Sequence, residues 1–195
     1  MRPEGQNPRA SAQGASQHRD RPGSLPLRHE KREEHWSYMD WCAQEMIARG
    51  PTFADDGETP TGSVNILDLP DPAAARAFAF DEPHYQSGVY RDVLLLRWRN
   101  TLGRTMWDFS GGRTGGNRYL VLGLSAGQDA TDSAAPADRD ELIAYGPLLS
   151  DDGAARLGTA ALVRAPDPDT ARAVLAPGRY ADVEVHTWRF GGRPS

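Results

Sequence analysis

The chain has 195 residues, which suits either one large domain or two small ones. Hydrophobic residues make up 38% and charged residues 25%, as in ordinary globular proteins. A net charge of −5 argues against a broad nucleic-acid-binding surface, because phosphate contacts need clustered lysine and arginine. Cys42 is the single cysteine, which excludes an intrachain disulfide and a cysteine-based zinc site. With no long apolar run and no signal-peptide pattern, we expect a cytoplasmic protein without a membrane partner.

The N-terminal quarter predicts a disordered segment followed by a helix. Residues 1–18 are rich in Gly, Ser, Gln and Pro, and we expect them to be disordered. The stretch QGASQHR at 13–19 lacks the β-branched and aromatic residues that favour strands. Between residues 25 and 49, apolar residues recur every three or four positions. This spacing predicts one helix, which Gly50-Pro51 ends.

Two strands and a second helix follow, and then a linker. Residues 62–69 alternate between apolar and polar, which predicts a strand. Asp71 followed by Pro72 is a typical helix start. Residues 93–98 are apolar on both faces, as in a strand that is covered on both sides. Residues 100–116 contain GGRTGGN and are interpreted as a flexible, glycine-rich linker.

The second half of the chain repeats motifs of the first half in the same order. GPTFADDG at 50–57 returns 96 residues later as GPLLSDDG. RDVLLLRWR at 91–99 returns 90 residues later as ADVEVHTWR. A strand predicted over 117–125 and a short helix near 137–145 complete the second copy. A repeat of this length predicts two copies of one structural unit, which we place at 19–99 and 117–190.

Each copy has the order β-α-β-β-α-β, which is the ferredoxin-like unit of the α+β class. Helices cover one face of such a sheet, so its other apolar face needs a partner. We therefore expect the two sheets to pack face to face within one chain, around a pseudo-two-fold axis.

Three segments of the first copy carry a resemblance to a known family. They are RDRPGSLPLRHEKREEHW (19–36), GPTFADDG (50–57) and residues 71–98, which contain the most specific stretch, Glu82-Pro83-His84-Tyr85 followed by Gly88-Val89-Tyr90. These segments resemble the YCII family, and residues 117–190 resemble it more weakly. The resemblance implies a dimeric α/β barrel of two ferredoxin-like units. The chain is therefore expected to be a monomer with an internal pseudo-dimer, or a homodimer.

The resemblance also implies a His/Asp pair as the active site. By position this pair is His35 with an aspartate of the turn at 55–56, of which Asp56 is preferred. The second copy departs from the pattern, because Thr131 stands 96 residues after His35 and no histidine occurs between 117 and 185. We therefore expect chemistry in the first copy only, and a degenerate second copy.

A histidine beside a carboxylate is a competent general acid–base pair, since imidazole titrates near neutrality. From the residues alone, His35 fits the surface of a charged helix better than a site, and Asp56 fits a simple turn; the resemblance favours a role in a site. Tyr90 and His84 are candidates for substrate binding. Tyr90 also fits a core aromatic, and His84 also fits an exposed loop residue. His186 takes the strand position of Leu96, which predicts a packing role.

Two functions fit these patterns. The first is a small-molecule enzyme of lyase or isomerase type that uses His35 and Asp56 on an unidentified substrate. The second is a non-catalytic small-molecule-binding or scaffold protein whose sites have decayed. No cofactor, metal or nucleic-acid partner is expected, and no glycine-rich loop has the spacing of a nucleotide-binding motif. Convergence of the pair in a concave, partly apolar pocket would favour the enzyme.

Overall fold

The computed structural model describes residues 12–125, 136 and 139–193. In the first half the elements are β1 (Ala12–Asp20), α1 (Leu25–Glu30), α2 (Arg32–Trp41), β2 (Met46–Phe53), β3 (Pro60–Leu69), α3 (Pro72–Asp81), α4 (Pro83–Gln86) and β4 (Tyr90–Trp98). A 3₁₀ turn at Met106–Asp108 connects them to β5 (Arg118–Leu124), β6 (Leu142–Leu149), β7 (Arg156–Arg164), α5 (Pro168–Arg172) and β8 (Asp182–Trp188).

Eight strands close a barrel in the order β1-β3-β2-β8-β5-β7-β6-β4. All neighbouring strands are antiparallel. One four-stranded sheet has the order β4-β1-β3-β2, and the other has the same order, β8-β5-β7-β6, one half of the chain later. The sheets meet at two short seams, β2–β8 and β4–β6, each of two residue pairs. The fold is thus α+β, with a ferredoxin-like strand order in each half.

Glycines permit the close approach of strands at the two seams. A Cβ atom at Gly50 would lie 1.9 Å from the carbonyl oxygen of Arg189. A Cβ atom at Gly146 would lie 1.8 Å from the carbonyl oxygen of Arg99. Any side chain larger than hydrogen is therefore excluded at both positions, which accounts for the repeated Gly-Pro in the two halves.

An apolar core fills much of the barrel interior. Trp98 and Trp188 lie in it beside the seams, and each is 1% exposed. Further core side chains come from both sheets and include Val64, Ile66, Leu120, Leu122, Ile143 and Leu162. Helices α2 and α3 cover the outer face of the first sheet, where Met39 and Phe78 pack near Leu67. None of the helices that the structure describes is long and apolar enough to cross a membrane.

The expectation that residues up to 18 are disordered is wrong for residues 12–18, and residues 1–11 lie outside the described residues. Ala12–Asp20 forms β1, which pairs with β3 on one side and with β4 on the other. Ser16, Gln17 and His18 are at most 5% exposed. Pairing along both edges supplies hydrogen bonds to every part of the strand, and this tertiary context overrides poor strand propensity.

The single helix predicted over 25–49 is also wrong. The helix is divided at Lys31, ends at Trp41, and is followed by β2. Met46 packs beneath the helices, whereas Ile47 and Ala48 belong to the barrel core. Apolar residues that suggested a helix face therefore serve a strand, and Gly50-Pro51 lies inside that strand rather than at a helix end.

Two expectations for the middle of the chain need correction as well. Residues 142–145 are part of β6 and not of a helix, residues 139–141 are not helical either, and 137–138 lie outside the described residues. The predicted linker is not loose throughout, because Met106 and Phe109 are 1% and 5% exposed and pack into the barrel core. In contrast, the strand at 62–69 and the helix start at Asp71 are confirmed, and the Asp71 carboxylate accepts a hydrogen bond from Ala74 N–H at 2.8 Å.

Candidate functional site

His35 is paired with a glutamate between two helices of the first half. Its Nδ1 atom is hydrogen-bonded to Oε1 of Glu82, which is completely buried. Glu82 is the N-cap of α4, and its Oε2 accepts a hydrogen bond from Tyr85 N–H at 2.9 Å. The local sequence Glu-Pro-His-Tyr explains this position, because a carboxylate cap followed by proline is a typical helix start. Helix capping therefore fixes the carboxylate that orients His35.

His84 lies directly against His35. The two imidazole rings are stacked, with centroids 4.2 Å apart and planes 8° apart. The Nε2 atom of His84 is 3.2 Å from the carbonyl oxygen of Arg28, and its Nδ1 atom is 3.3 Å from the hydroxyl of Tyr90. A carbonyl can only accept, so Nε2 carries the proton and Nδ1 accepts from Tyr90. This network fixes both the tautomer and the ring plane of His84.

Burial decides the charge states of this cluster. Burial lowers the pKa of His84 to about 3 and that of His18 to about 4, so both rings are neutral near pH 7. Burial alone would raise the pKa of Glu82, but its hydrogen bond with His35 holds that pKa below its usual value. Burial also raises the pKa of Tyr90. Glu82 is therefore the ionised member, and the rings of His18 and His84 stay uncharged.

A buried ion pair anchors α1 beside this cluster. Arg28 Nη1 donates to both carboxylate oxygens of Asp20, at 2.9 and 3.1 Å. Arg28 Nη2 donates to Ser63 Oγ at 2.7 Å and to the carbonyl oxygen of Gly62 at 3.3 Å. Burial raises the pKa of Asp20, and the Arg28 charge opposes this effect. This ion pair joins the end of β1 to α1, the helix directly before α2, which carries His35.

A cavity of about 310 Å³ opens beside His35, between α1, α2 and the outer face of the first sheet. Its lining residues include apolar side chains, namely Trp36, Met39, Pro51, Phe53 and Phe190, and polar ones, namely Arg28, Arg32, His35, Arg49, Ser63, Asn65 and His84. Phe190 and the two glycines that follow it come from the second half of the chain. Because Glu82 occupies Nδ1 of His35, Nε2 is the nitrogen left for a ligand in this cavity.

The predicted partner of His35 is not where the sequence placed it. Asp56 is exposed, and its carboxylate accepts hydrogen bonds from Glu58 N–H, Thr59 N–H and Thr59 Oγ–H within its own turn. These bonds lower its pKa, the side-chain bond from Thr59 most of all. The carboxylate that meets His35 is Glu82. The loop at 55–57 therefore uses Asp56 to close a turn.

The two predicted substrate-binding residues have different surroundings. His84 lines the cavity but is 2% exposed, so its interpretation as an exposed loop residue is wrong. Tyr90 is 3% exposed and packs against His18, with ring centroids 4.6 Å apart. Its hydroxyl reaches the site through His84 and through a side-chain hydrogen bond with Ser63. Thr131, the residue expected at the position of His35 in the second half, lies outside the described residues.

Sequence reasoning missed Glu82, Arg49 and Asn65. Glu82 had a recognisable signal, since it precedes Pro83 at a helix start. Arg49 and Asn65 had none, because their shared cavity exists only once β2 pairs with β3. His186 also differs from the packing role expected for it, because its Nε2 atom is 2.8 Å from Glu184 Oε2 in a half-buried polar contact.

The cluster could be considered for a metal ion. His35, Glu82 and His84 each offer one ligand atom, and these atoms lie within 4.8 Å of one another. An imidazole binds a metal along its ring plane, and two stacked parallel rings direct their lone pairs along parallel rather than converging lines. The stacked arrangement therefore suits proton exchange better than metal coordination.

The fold and this site define a ferredoxin-like α/β-barrel protein with a histidine–carboxylate pair in its first half. Residues 15–99 match the YCII-related domain family. An uncharacterised protein of Haemophilus influenzae is 32% identical over 83 residues, which is 39% of this chain and 85% of that protein. The chain belongs to the YCII family.

Two solved structures are similar to this chain over different lengths. A putative monooxygenase from Lactobacillus acidophilus superposes with a TM-score of 0.50 at 7% identity, covering 93% of this chain and 97% of that one. A 5-chloro-2-hydroxyhydroquinone dehydrochlorinase from Burkholderia phenoliruptrix, in complex with 2,5-dihydroxybenzoquinone, covers 47% of this chain and 98% of that one, with a TM-score of 0.42 and 24% identity. The first likeness extends over both halves and shows a shared fold.

Proposed function

We propose that this protein is a small-molecule enzyme in which His35 acts as general base and acid, with Glu82 as its partner. The single observation that carries the proposal is the hydrogen bond between His35 Nδ1 and the fully buried Glu82 carboxylate, beside a cavity. A carboxylate on Nδ1 holds the ring in the tautomer whose Nε2 accepts a proton, and it stabilises the imidazolium that forms. The reaction class is proton transfer, as in a lyase or an isomerase.

We also propose that residues 118–188 derive from a second copy of the domain that lost its site. The equal strand order, the seam glycines Gly50 and Gly146, and the helix-capping Asp71 and Asp167 support this origin. In this view the second copy supplies the sheet that a partner subunit would otherwise supply. Light scattering on the purified chain should then give the mass of a monomer, 21.3 kDa.

Nuclear magnetic resonance tests the acid–base proposal without a known substrate. In ¹⁵N–¹H long-range spectra, neutral His35 should carry its proton on Nδ1, the tautomer that is the minor form in water. Glu82→Gln should remove this preference, whereas Asp56→Asn should leave it unchanged. A His35 ring that titrates as a free, Nε2-protonated imidazole would contradict the proposal and favour the non-catalytic binding protein.

Catalysis itself can be probed with phenylpyruvate, a single-ring carboxylate that has acidic C–H bonds. The wild-type protein should accelerate exchange of these protons with D₂O, and His35→Gln should lower the rate by about 10²–10⁴-fold, as expected for a lost general base. Equal exchange rates in the wild type and in His35→Gln would show that His35 does not catalyse the exchange and would contradict the proposal.

A further inference from the structure

Two side chains in the cavity beside His35 carry hydrogen-bond donors without partners. Nδ2 of Asn65, and Nε and Nη1 of Arg49, are buried and make no hydrogen bond within the described residues. Arg49 uses only Nη2, which donates to Asp40 Oδ1 at 3.1 Å. Asn65 is 2% exposed. Leaving buried donors unpaired costs stability, so such groups in a native protein call for an explanation.

The two residues are neighbours on the sheet. Arg49 of β2 lies directly opposite Asn65 of β3, so both side chains project from the same face toward the cavity. Ser16 of β1 is the next residue in this row. The row thus places a fork of cationic donors and an amide donor side by side in one wall of the cavity.

The second half of the chain shows that the fold does not require polar residues at these places. In its sheet, Tyr145 of β6 is paired with Ala161 of β7, and Ala161 with Val121 of β5. These three residues hold the same places in the strand order as Arg49, Asn65 and Ser16, and all three belong to a hydrophobic cluster. A buried apolar row is therefore compatible with this architecture. The polar row of Arg49, Asn65 and Ser16 occurs in the half of the chain that contains the cavity beside His35.

The charge of the cavity has one sign. Among the described residues that line it, three are arginines, three are histidines, and none is an aspartate or glutamate. The chain as a whole carries a charge of −5, so this distribution is local. The remaining wall is apolar and aromatic, with Trp36 and Phe190 among its members. Unpaired cationic donors beside aromatic surfaces complement a flat, negatively charged molecule.

We infer that the cavity binds a planar organic anion, whose carboxylate or enolate oxygens are held by Arg49 and Asn65. Its apolar ring lies against Trp36 and Phe190, and an acidic C–H or O–H faces Nε2 of His35. A volume of about 310 Å³ lies at the small end of the range for ligand pockets and suits one ring better than a dinucleotide. The inference rests on the proposed function, because it names the substrate class of the same site.

Calorimetry with two matched probes tests the inference. Phenylacetate carries the charge, and phenylacetamide has the same shape without it. The wild-type protein should bind phenylacetate at least about tenfold more tightly, because only the anion pairs with Arg49. Arg49→Met should remove this difference, and Arg49→Lys should restore part of it. Arg76→Met, which deletes an exposed arginine outside the cavity, is the matched control and should bind as the wild type does.

Asn65→Ala separates binding from folding. It removes an unpaired buried amide, so the melting temperature should stay equal or rise, while phenylacetate affinity falls by about three- to tenfold. A lower melting temperature with unchanged affinity would assign Asn65 to folding and overturn its part in the inference. Equal affinity for the two probes, unchanged binding in Arg49→Met, or no wild-type binding at about 10 mM phenylacetate would overturn the inference as a whole.

His35→Gln keeps the two proposals apart. This variant should still prefer phenylacetate, because Arg49 and Asn65 are intact. Anion-selective binding without any His35-dependent proton exchange would remove the acid–base proposal and leave the anion site standing. If proton exchange depends on His35 but Arg49→Met does not change phenylacetate binding, the anion site is removed and the acid–base proposal stands.

Discussion

The imidazole ring of His84 lies flat on that of His35, with centroids 4.2 Å apart. Because burial lowers the pKa of His84 to about 3, its ring stays neutral near pH 7 beside His35, for which we propose proton transfer. His84 is held by the carbonyl of Arg28 and by the hydroxyl of Tyr90. We therefore propose that His84 is a positioning residue that fixes the ring plane of His35.

Replacement of this ring tests that role. His84→Phe keeps a flat ring but leaves the Arg28 carbonyl and the Tyr90 hydroxyl without their partner. We expect urea unfolding to show a loss of roughly 1–3 kcal/mol, and turnover to fall by about tenfold, because an unmade buried hydrogen bond costs that much. Tyr90→Phe, which removes one hydroxyl, should have a smaller effect on both. A His84→Phe protein with wild-type stability would contradict the network.

Two variants compare the carboxylate that meets His35 with the one predicted from the sequence. Glu82→Gln should lower turnover by about 10²-fold, because the imidazolium loses its buried counter-charge. Asp56→Asn should leave turnover unchanged, because Asp56 bonds only within its own turn. Rates measured under saturating substrate provide the comparison. If Asp56→Asn were as damaging as Glu82→Gln, the pairing predicted from the sequence would be reinstated.

Stability should fall as the solution is acidified below pH 6.5. Burial lowers the pKa of His18 to about 4, against 6.5 for a free histidine, so the unfolded chain binds the proton more readily. The stabilisation is complete above pH 6.5 and is lost as the pH falls toward 4, a total on the order of 3 kcal/mol. Glu82, His35 and Arg28 are the charged or titratable groups that act on this ring.

Thermal unfolding at pH 7, 5.5 and 4.5 measures this loss. In His18→Leu, the slope of stability against pH should be smaller by the uptake of about one proton. The variant removes a ring that must be neutral in the folded state. His29→Gln, at an exposed position, is the control and should follow the wild type. Parallel curves for His18→Leu and the wild type would show that other groups govern acid unfolding.

The two turn aspartates should behave alike. Asp152 accepts hydrogen bonds from Ser150 Oγ–H and Ala154 N–H, and these bonds lower its pKa as those of Asp56 do. Asp56→Ala and Asp152→Ala should each lower the melting temperature slightly at pH 7, with the difference from wild type shrinking below pH 4, where both carboxylates are protonated in the unfolded chain. Turnover should not change in either variant. A catalytic defect in one of them alone would show that the turns are not equivalent.

The segment after β8 should control access to the cavity. Gly191 N–H donates to the carbonyl of Arg49 at 2.9 Å, and a Cβ atom at Gly191 would lie 2.8 Å from Gly50 Cα. Gly191→Ala must therefore displace this segment and the Phe190 ring that it carries. We expect phenylacetate affinity to fall by about tenfold with a smaller loss of melting temperature. Unchanged affinity would place Phe190 outside the binding surface.

Some features that the two halves of the chain share could be recognised in the sequence because they are local. Gly50 and Gly146 must be glycine at the seams, and Asp71 and Asp167 cap helices through bonds three residues away. The predicted helix and strand assignments were wrong where neighbouring side chains are buried in different apolar clusters. At Met46 and Ile47, successive side chains enter two different cores, a pattern that a helix face also fits.

By itself, the amino-acid sequence determined the α+β class, the family, and the glycine and aspartate positions of the turns, and it singled out His35 as the candidate for proton transfer. Each of these depends on residue type or on contacts within a few positions. Only the tertiary structure decided that β1 forms from a polar segment, that Glu82 rather than Asp56 meets His35, and that Arg49 and Asn65 share one wall. These depend on pairing between segments distant in the chain, where the register of β-strands and the docking of helices set which side chains meet.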